Sequence, residues 1–433
     1  MQVEAWLTRA ARRAPDRIAV ETPERAVSYR ELDRLAGAGA RELGVPTGSR
    51  VAIALAPGLD FVIALHACLR AGAVAVPVDL RDPTPAGAPS SDAVVEAPLS
   101  CRGPALAGVG HELSASALIV RTSGTSAEPK EVPLTYGNFL WSAIGSAVAL
   151  GLDPAERWLC TLPLVHVGGL SIILRSAIYG TTAVVHERFE PDAALDALMT
   201  REITLVSVVA TTLRRLLDAG LAHPPALRCA LAGGGPVPEG LLESARRVGV
   251  AVCQTYGLTE ACSQVATQTP GERGVDSGPR LFCTRVALAP DGEILVSGPT
   301  LSPAVAGGVL ATGDLGELGA DGSLRVSGRR ADTIISGGEN VSPSEVEAAL
   351  EEHPAVLEAG VYGVADERWG EAVHAVVVAR SAVSEAELRA HCAARLAGFK
   401  VPKRIGFAQR LARTESGKLQ RGRLAVDGGE PTS

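Results

Sequence analysis

A chain of 433 residues is too long for a single hydrophobic core, so two or three domains are expected and a small disulfide-stapled scaffold is excluded. With 46% hydrophobic and 21% charged residues it has ample material for packed cores and too little charge for a disordered polymer. Its 41 Lys and Arg against 48 Asp and Glu leave a net charge of −7, which offers nucleic-acid phosphates no broad attraction, so nucleic acid is not an expected partner.

The start of the chain (MQVEAWLTRAARRAPDR) is charged throughout and predicts no export signal. Tyr29–Leu43 has helical spacing, while 51–55 and 73–78 read as buried strands. Residues 82–109 are rich in Pro, Ala, Gly and Ser with little periodicity, and read as a loop or linker. From Ala117 the alternation resumes, with strands expected at 117–120, 183–185, 205–209, 229–232 and 251–253 and helices between them. That succession implies right-handed βαβ crossovers and a mainly parallel sheet. The most apolar window, 139–152, falls short of the roughly 18 residues a membrane span needs.

Past Asp291 the texture changes to short β-prone runs with turn pairs, DGEILVSG and DGSLRVSG, which read as hairpin strands. Ser342, Pro343 and Glu345 spell a capping box, predicting a helix to His353. A strand at 372–378 and a helix over 385–396 follow, then a polar tail. The eight cysteines form no CxxC pair and no cluster with metal-ligand spacing, so they are expected as reduced thiols in a cytoplasmic protein.

Residues 120–132, VRTSGTSAEPKEV, follow a strand and place Thr122, Ser123, Gly124, Thr125 and Ser126 before Lys130. Backbone N–H groups, hydroxyls and a mobile ammonium converging in such a turn suit a polyphosphate. Alone, the segment would more often be an ordinary surface loop, and the GxxxxGK[ST] spacing is missing. It does not stand alone. LAGGGPVP (231–238), QTYGLTEACSQ (254–264), ATGDLGEL (311–318), GRRADTIISGGENVSPSEVE (328–347) and RTESGKLQR (413–421) follow in order.

With these motifs the chain resembles the superfamily of adenylate-forming enzymes, which includes acyl- and aryl-CoA synthetases, luciferases and peptide-synthetase adenylation domains. The likeness spans residue 1 to about 423. Within it, VPLTYGNFLWSAIGSAVALGL, RWLCTLPLVHVGGLSIILRSAIYG and VVHERF, over 132–189, resemble the o-succinylbenzoate-CoA ligases of menaquinone synthesis. The resemblance implies an α/β fold: a large N-terminal domain (1–327) of layered α/β subdomains with mainly parallel sheets and a small β-barrel-like part. A hinge (328–332), a mobile α+β C-terminal domain (333–425) and a tail (426–433) would follow. It also implies a ligase taking an aromatic carboxylic acid, ATP with Mg²⁺, and CoA; an assembly of identical subunits is left open.

The resemblance assigns roles residue by residue. Thr122, Ser123, Gly124, Thr125 and Lys130 would grip the β- and γ-phosphates, and Glu260 would hold Mg²⁺. Tyr256 would stack on adenine, Gly257 would allow close approach, and Thr259 would offer its hydroxyl to the α-phosphate. Gly233, Gly234 and Gly235 would leave room for the nucleotide, with Asp314 and Arg329 on the ribose. His166 and Gly168 would line the acyl pocket, with Gly169 also leaving room for a flat ring, and Ser263 and Gln264 would meet the acid's second carboxylate or ketone. Lys418 would contact the attacking carboxylate and α-phosphate, then withdraw as Gly337, Gly338 and Glu339 swing in to the pantetheine tunnel. The facing of Arg175 is not legible.

Four positions depart from the common pattern: Ser126 and Ala127 stand where Thr and Gly are usual, Glu131 where Gly is usual, and Ala331 where many relatives carry aspartate. Residues 82–116 look shortened. Three other readings stay open: a different aryl- or acyl-CoA ligase, a stand-alone adenylation domain loading a carrier protein, and a nucleotide-binding homologue without catalysis.

Overall fold

The computed structural model describes residues 1–81, 91–108, 110–122, 130–413 and 419–427, with side chains for all but 425–427. Ser123, Gly124, Thr125, Ser126, Ala127 and Lys418 therefore lie outside the described residues.

Strands Thr182–Val185, Leu205–Val208 and Cys229–Ala232 are apolar or small at nearly every position and buried at every position. Helices cover both faces of their sheet, which is why they read as continuous runs rather than alternations. The sheet has eight strands in the order Ser263–Thr267, Val252–Leu258, Cys229–Ala232, Leu205–Val208, Arg157–Cys160, Thr182–Val185, Ile18–Glu21, Ala26–Ser28. The six inner strands are parallel, and one antiparallel strand closes each edge. Arg157–Cys160, with only four residues, was not read from the sequence.

A second sheet runs Ala93–Val95, Arg50–Ile53, Val74–Pro77, Ser116–Thr122, Lys130–Thr135, parallel except for the last strand. Ala93–Val95 corrects the reading of 82–109 as loop: three residues on a sheet edge give no period to detect. Between the sheets lie helices Leu59–Ala71 and Val167–Tyr179, buried over most of their length and apolar nearly all round, as a central layer requires. One core runs through Ile53, Leu65, Leu118, Leu170 and Trp158, joining both sheets.

A four-stranded antiparallel sheet, Arg285–Leu288, Glu293–Ser297, Val309–Leu318, Leu324–Arg329, packs Ile294, Val296 and Leu324 onto Tyr256, Ala261 and Val265. Its turns carry Asp291-Gly292 and Asp321-Gly322, as the dipeptides predict. Beyond it, a five-stranded sheet built on the long strands Val356–Asp366 and Gly370–Ala379 shares a separate core of Ile334, Val346, Leu350, Val361, Val377 and Leu388 with helices Pro343–Glu351 and Glu385–Ala393.

The capping box at Ser342 does not form. The Ser342 hydroxyl donates instead to the Ser327 carbonyl (2.6 Å), and Ser344 donates to that same oxygen (2.8 Å). Glu345 turns to Lys400 (2.6 Å), and the helix ends at Glu351. Tertiary partners outbid the local cap, and they tie this helix to the strand Leu324–Arg329. All eight cysteines are free and buried, as the reading of reduced thiols expects. No helix among the described residues is long and apolar enough to cross a membrane.

Candidate active site

The carboxyl ends of parallel strands leave a crevice that helices do not fill. At this edge Cys229–Ala232 runs into Gly233, Gly234 and Gly235. A Cβ at Gly233 would meet Thr255 Cγ2 at 2.8 Å, and Gly234 has φ +80°, so glycine is required at both by neighbouring strand and backbone conformation. The adjacent strand continues to Tyr256 and Gly257, where the pairing with Ser263–Thr267 bulges. A Cβ on Gly257 would stand 1.9 Å from the Ser263 carbonyl oxygen, so the bulge admits only glycine.

Immediately afterwards Thr259–Ala261 makes a single 3₁₀ turn, closed by Cys262 N–H donating to Thr259 O (3.0 Å). Cys262 (φ +52°) and Ser263 (φ +89°) then reverse the chain in a conformation non-glycine residues rarely adopt. The turn presents Glu260, whose carboxylate lies 3.9 Å from Lys130 Nζ. Lys130 opens a strand that pairs with Thr122 across the hairpin. Its ammonium is mostly exposed, so the pair is a loose one that an anionic ligand can enter. Ser302 N–H donates to the Glu260 carbonyl (2.8 Å) and Ser302 Oγ to the Pro133 carbonyl (2.7 Å), which fixes the two carriers of this pair to each other. Glu131, the neighbour of Lys130, points to Arg50 (2.7 Å).

Tyr256 Oη donates to Asp314 Oδ2 (2.7 Å), and Arg329 Nε meets Asp314 Oδ1 (3.0 Å). Asp314 and Arg329 are register partners in the antiparallel sheet, so the pairing follows from strand alignment. Burial, then the Asp314 charge, pushes the Tyr256 phenol well above its usual range and keeps it a donor. Both oxygens of a buried carboxylate are thus oriented, with the Arg329 side chain half exposed on one side.

His166 caps the helix Val167–Tyr179 with its backbone and is partly buried. Gly169 has a packing reason of its own: a Cβ there would lie 2.6 Å from the Pro163 carbonyl. At Gly168 the nearest neighbour of a Cβ would be Leu162 Cδ1, at 3.3 Å. Gln264 is buried, with Nε2 donating to Thr267 Oγ1 (3.0 Å) and Oε1 lacking a hydrogen-bond partner. Gly337 (φ +65°) and Gly338 (φ +84°) sit elsewhere, as the two-residue turn between Ile334–Ser336 and Glu339–Val341. The structure thus joins Lys130 to Glu260, and Tyr256 to Asp314 and Arg329, around one sheet edge.

Sequence reading missed the support behind that edge. Asn138 Oδ1 accepts from Thr135 N–H (2.9 Å), while its Nδ2 donates to the Pro299 (2.9 Å) and Leu301 (2.8 Å) carbonyls. Only Thr135 followed by Asn138 at capping spacing, before an apolar run, hinted at it. Arg175 proves to be wholly interior.

Fold and cleft together define a doubly wound α/β enzyme with a smaller C-terminal unit, built to take a ligand at the carboxyl edge of its main sheet. The AMP-binding enzyme family model matches residues 7–88 and 104–310, and the AMP-binding enzyme C-terminal domain model matches 345–418. The chain belongs to the AMP-binding enzyme family. It is 37% identical to 2-succinylbenzoate–CoA ligase of Bacillus licheniformis, over 97% of this chain and 98% of the relative. The o-succinylbenzoate CoA synthetase of Bacillus subtilis is 35% identical; in complex with the acyl-adenylate intermediate it superposes with a TM-score of 0.88 over 98% of both chains. The complex with ATP and magnesium ion gives 0.87 over 98% of this chain and 100% of the other. A double mutant bound to a product analogue gives 0.71 over 98% of both.

Proposed function

We propose that this protein activates o-succinylbenzoate with ATP and transfers the acyl group to CoA, giving o-succinylbenzoyl-CoA, AMP and pyrophosphate, for menaquinone synthesis in the cytoplasm. The observation that carries the reading is the Lys130–Glu260 pair at the carboxyl edge of the sheet, beside the oriented Asp314 carboxylate. Near-full-length likeness to ligases of that name supports the acid.

In the first step a carboxylate attacks the α-phosphorus and pyrophosphate leaves, so anion meets anion. The site must neutralise charge and hold the reactants in line. Thr122, Ser123, Gly124, Thr125 and Lys130 hold the β- and γ-phosphates. Mg²⁺ enters as part of the nucleotide substrate. Among the described residues no group of three or more His, Cys, Asp or Glu gathers as a metal cage. One carboxylate, Glu260, suits an ion that keeps its waters and takes its remaining oxygens from phosphates. Asp314 and Arg329 hold the ribose hydroxyls, Tyr256 takes the adenine face, and Thr259 donates to the α-phosphate. His166 and Gly168 line the acyl pocket, and Ser263 and Gln264 donate to the far end of the acid. Gln264 Nε2 gives one hydrogen to Thr267 Oγ1 and keeps a second for the acid, while the orphaned, buried Oε1 is an acceptor that suits a water or another donor.

Lys418 brings the cation that lets the carboxylate approach the α-phosphate. A unit charge about 4 Å away at an effective dielectric near 20 is worth up to ~4 kcal/mol, roughly three decades in rate. Lys418→Ala is therefore expected to slow acid-dependent pyrophosphate exchange about a thousandfold; exchange within about threefold of the parent would remove the role.

For thiolation Lys418 must leave and CoA enter, so the small domain (333–425) turns about residues 328–332 and carries Gly337 and Gly338 to the thiol route. The drop from 0.88 to 0.71 between two complexes of one relative, at equal coverage, supports two arrangements of such bodies. The decisive assay is mass detection of an acyl-CoA after incubation with ATP, Mg²⁺ and CoA, with o-succinylbenzoate, benzoate and fatty acids as parallel acids. Thioester on benzoate or fatty acid alone would replace the acid, and ATP binding without pyrophosphate exchange would replace the enzyme with a binding protein.

A further inference from the structure

The hinge at 328–332 is gripped from both sides. The Arg330 guanidinium pairs with Asp291 and with Glu293 (3.3 Å), which lie on the four-stranded sheet of the large domain. Two residues on, Asp332 accepts from Arg421 Nη1 (2.9 Å), and Arg421 Nη2 also holds Glu347 (2.8 Å) on the helix Pro343–Glu351. Arg330 thus sides with the large domain and Asp332 with the small one, which leaves Ala331 between them as the pivot. A turn large enough to exchange Lys418 for Gly337 and Gly338 swings everything after Ala331, Ser342 and Ser344 included, past Ser327.

Those two serines bridge the pivot. Ser342 Oγ lies 2.6 Å and Ser344 Oγ 2.8 Å from the Ser327 carbonyl oxygen, and the hydroxyls lie 2.9 Å from each other. A carbonyl has two lone pairs, so one acceptor serves both. A Cβ on Gly328 would stand 3.0 Å from Ser342 Oγ and 3.4 Å from Ser344 Oγ, so glycine there lets the pair close over the carbonyl. Ser342 caps no first-turn amide, although a cap would stabilise its own helix, so its hydroxyl serves the contact across the pivot instead. At the far end of the helix Glu351 feels the charge of Arg214, on helix Ala210–Asp218 of the large domain. Burial pushes that carboxyl up to about 7, so this second tie is half-neutralised at neutral pH and the serine end carries the seat. The structure with these contacts superposes on the relative's acyl-adenylate and ATP complexes at 0.88 and 0.87, against 0.71 for the product-analogue complex.

We propose that Ser342 and Ser344 are positioning residues for the first half-reaction: together they latch the start of helix Pro343–Glu351 to the Ser327 carbonyl and so hold the small domain, with Lys418, in the arrangement that forms the acyl adenylate. The latch is redundant, since loss of either hydroxyl leaves the other on the same oxygen. It is also releasable, because both side chains are half-buried and water can take over their bonds once the domain turns. The proposal rests on the reading of two domain arrangements, but the latch can be read without turnover.

The test uses the full chain, as Ser342→Ala, Ser344→Ala and the two together. Acid-dependent pyrophosphate exchange is expected to fall less than about twofold in either single variant and about tenfold in the double one. Single-turnover thioester formation, started by adding CoA to acyl adenylate formed beforehand, should stay within about twofold of the parent or quicken in all three. For a readout without chemistry, spin labels are placed by Glu243→Cys and Arg380→Cys, exposed on the large and small domains, the eight native thiols being buried. With Mg·ATP the parent is expected to show one main distance, and the double variant to add the second distance that the parent shows with AMP and CoA. Both half-reactions slowed alike, a double variant no slower than either single one, or a Mg·ATP distance distribution identical with the parent's overturns the latch. A parent with the same distance under both conditions removes the two arrangements and the latch with them. Should the distances shift as expected while no acid supports exchange, the latch stands and the reading of the activity falls.

Discussion

Glu131 is where a single side chain changes the expectation drawn from the sequence. A carboxylate one residue after the phosphate-loop lysine, where Gly is usual, has the charge to oppose the nucleotide, but strand alternation points it away from Lys130 and onto Arg50. The pair is about one-third exposed on each side, and such pairs contribute roughly 0–1 kcal/mol. Glu131→Gln is therefore expected to leave pyrophosphate exchange within about twofold of the parent and the unfolding midpoint nearly unmoved. An increase of tenfold or more on that substitution would show that the charge does face the phosphates. Asp314 shows the converse: its motif was legible, but its partner Tyr256, 58 positions earlier, was not. The aromatic expected to stack on adenine also donates its hydroxyl to the residue expected on the ribose, so the two assignments form one unit.

The helix Tyr136–Leu150 organises the site without touching a ligand in any assignment. Its capping box is reciprocal, Thr135 Oγ1 accepting from Asn138 N–H (3.0 Å) while Asn138 Oδ1 accepts from Thr135 N–H. The remaining amide hydrogens of Asn138 go to two carbonyls of the segment before Ser302. Asn138→Ala would leave the Thr135 N–H and two carbonyls without these partners in a buried setting, at roughly 1–3 kcal/mol for each unsatisfied group. A loss of about 3 kcal/mol or more in urea unfolding is expected, and a loss below about 0.5 kcal/mol would mean that water replaces the amide. Ser342 teaches the opposite lesson about caps. Its sequence fits the box, but the hydroxyl donates to the Ser327 carbonyl and also bonds Ser344 Oγ, and it caps no first-turn amide.

On the scale of the whole molecule, the seam between Met1–Arg13 and the central helices gathers His66, His111, Tyr136 and Trp6. His111 stacks on Tyr136 at 4.2 Å and packs edge-on against Trp6 at 4.8 Å. Burial lowers both imidazoles to about 4, and for His66 the neighbouring His111 adds to the shift. In the unfolded chain each titrates near 6.5, so between about 6.5 and 4 the unfolded chain holds more protons than the folded one. Stability is full above that window, falls as pH drops through it, and levels off with respect to these groups below it. Lowering an imidazole from 6.5 to about 4 is worth roughly 3 kcal/mol, so acid should weaken this seam well before pH 4. Imidazole NMR titration checks it: a resonance of either residue titrating near 6.5 in the native protein would refute the burial argument. The same scale holds the proposed domain rotation. A cross-link fixing the small domain in one arrangement is expected to abolish one half-reaction and spare the other, and equal loss of both would count against it.

The α/β class, the order of the motifs and the family are written in the chain, because continuous apolar runs, turn dipeptides and closely spaced glycines act over a few residues. Sequence alone also located Lys130, Glu260, Tyr256 and Asp314. Which of them meet, that Glu131 is turned aside, and that Ser342 and Ser344 reach back to Ser327 were settled only by tertiary structure. Those facts depend on strand register and on helix faces whose residues lie 15 to 130 positions apart, and no local pattern records such distances.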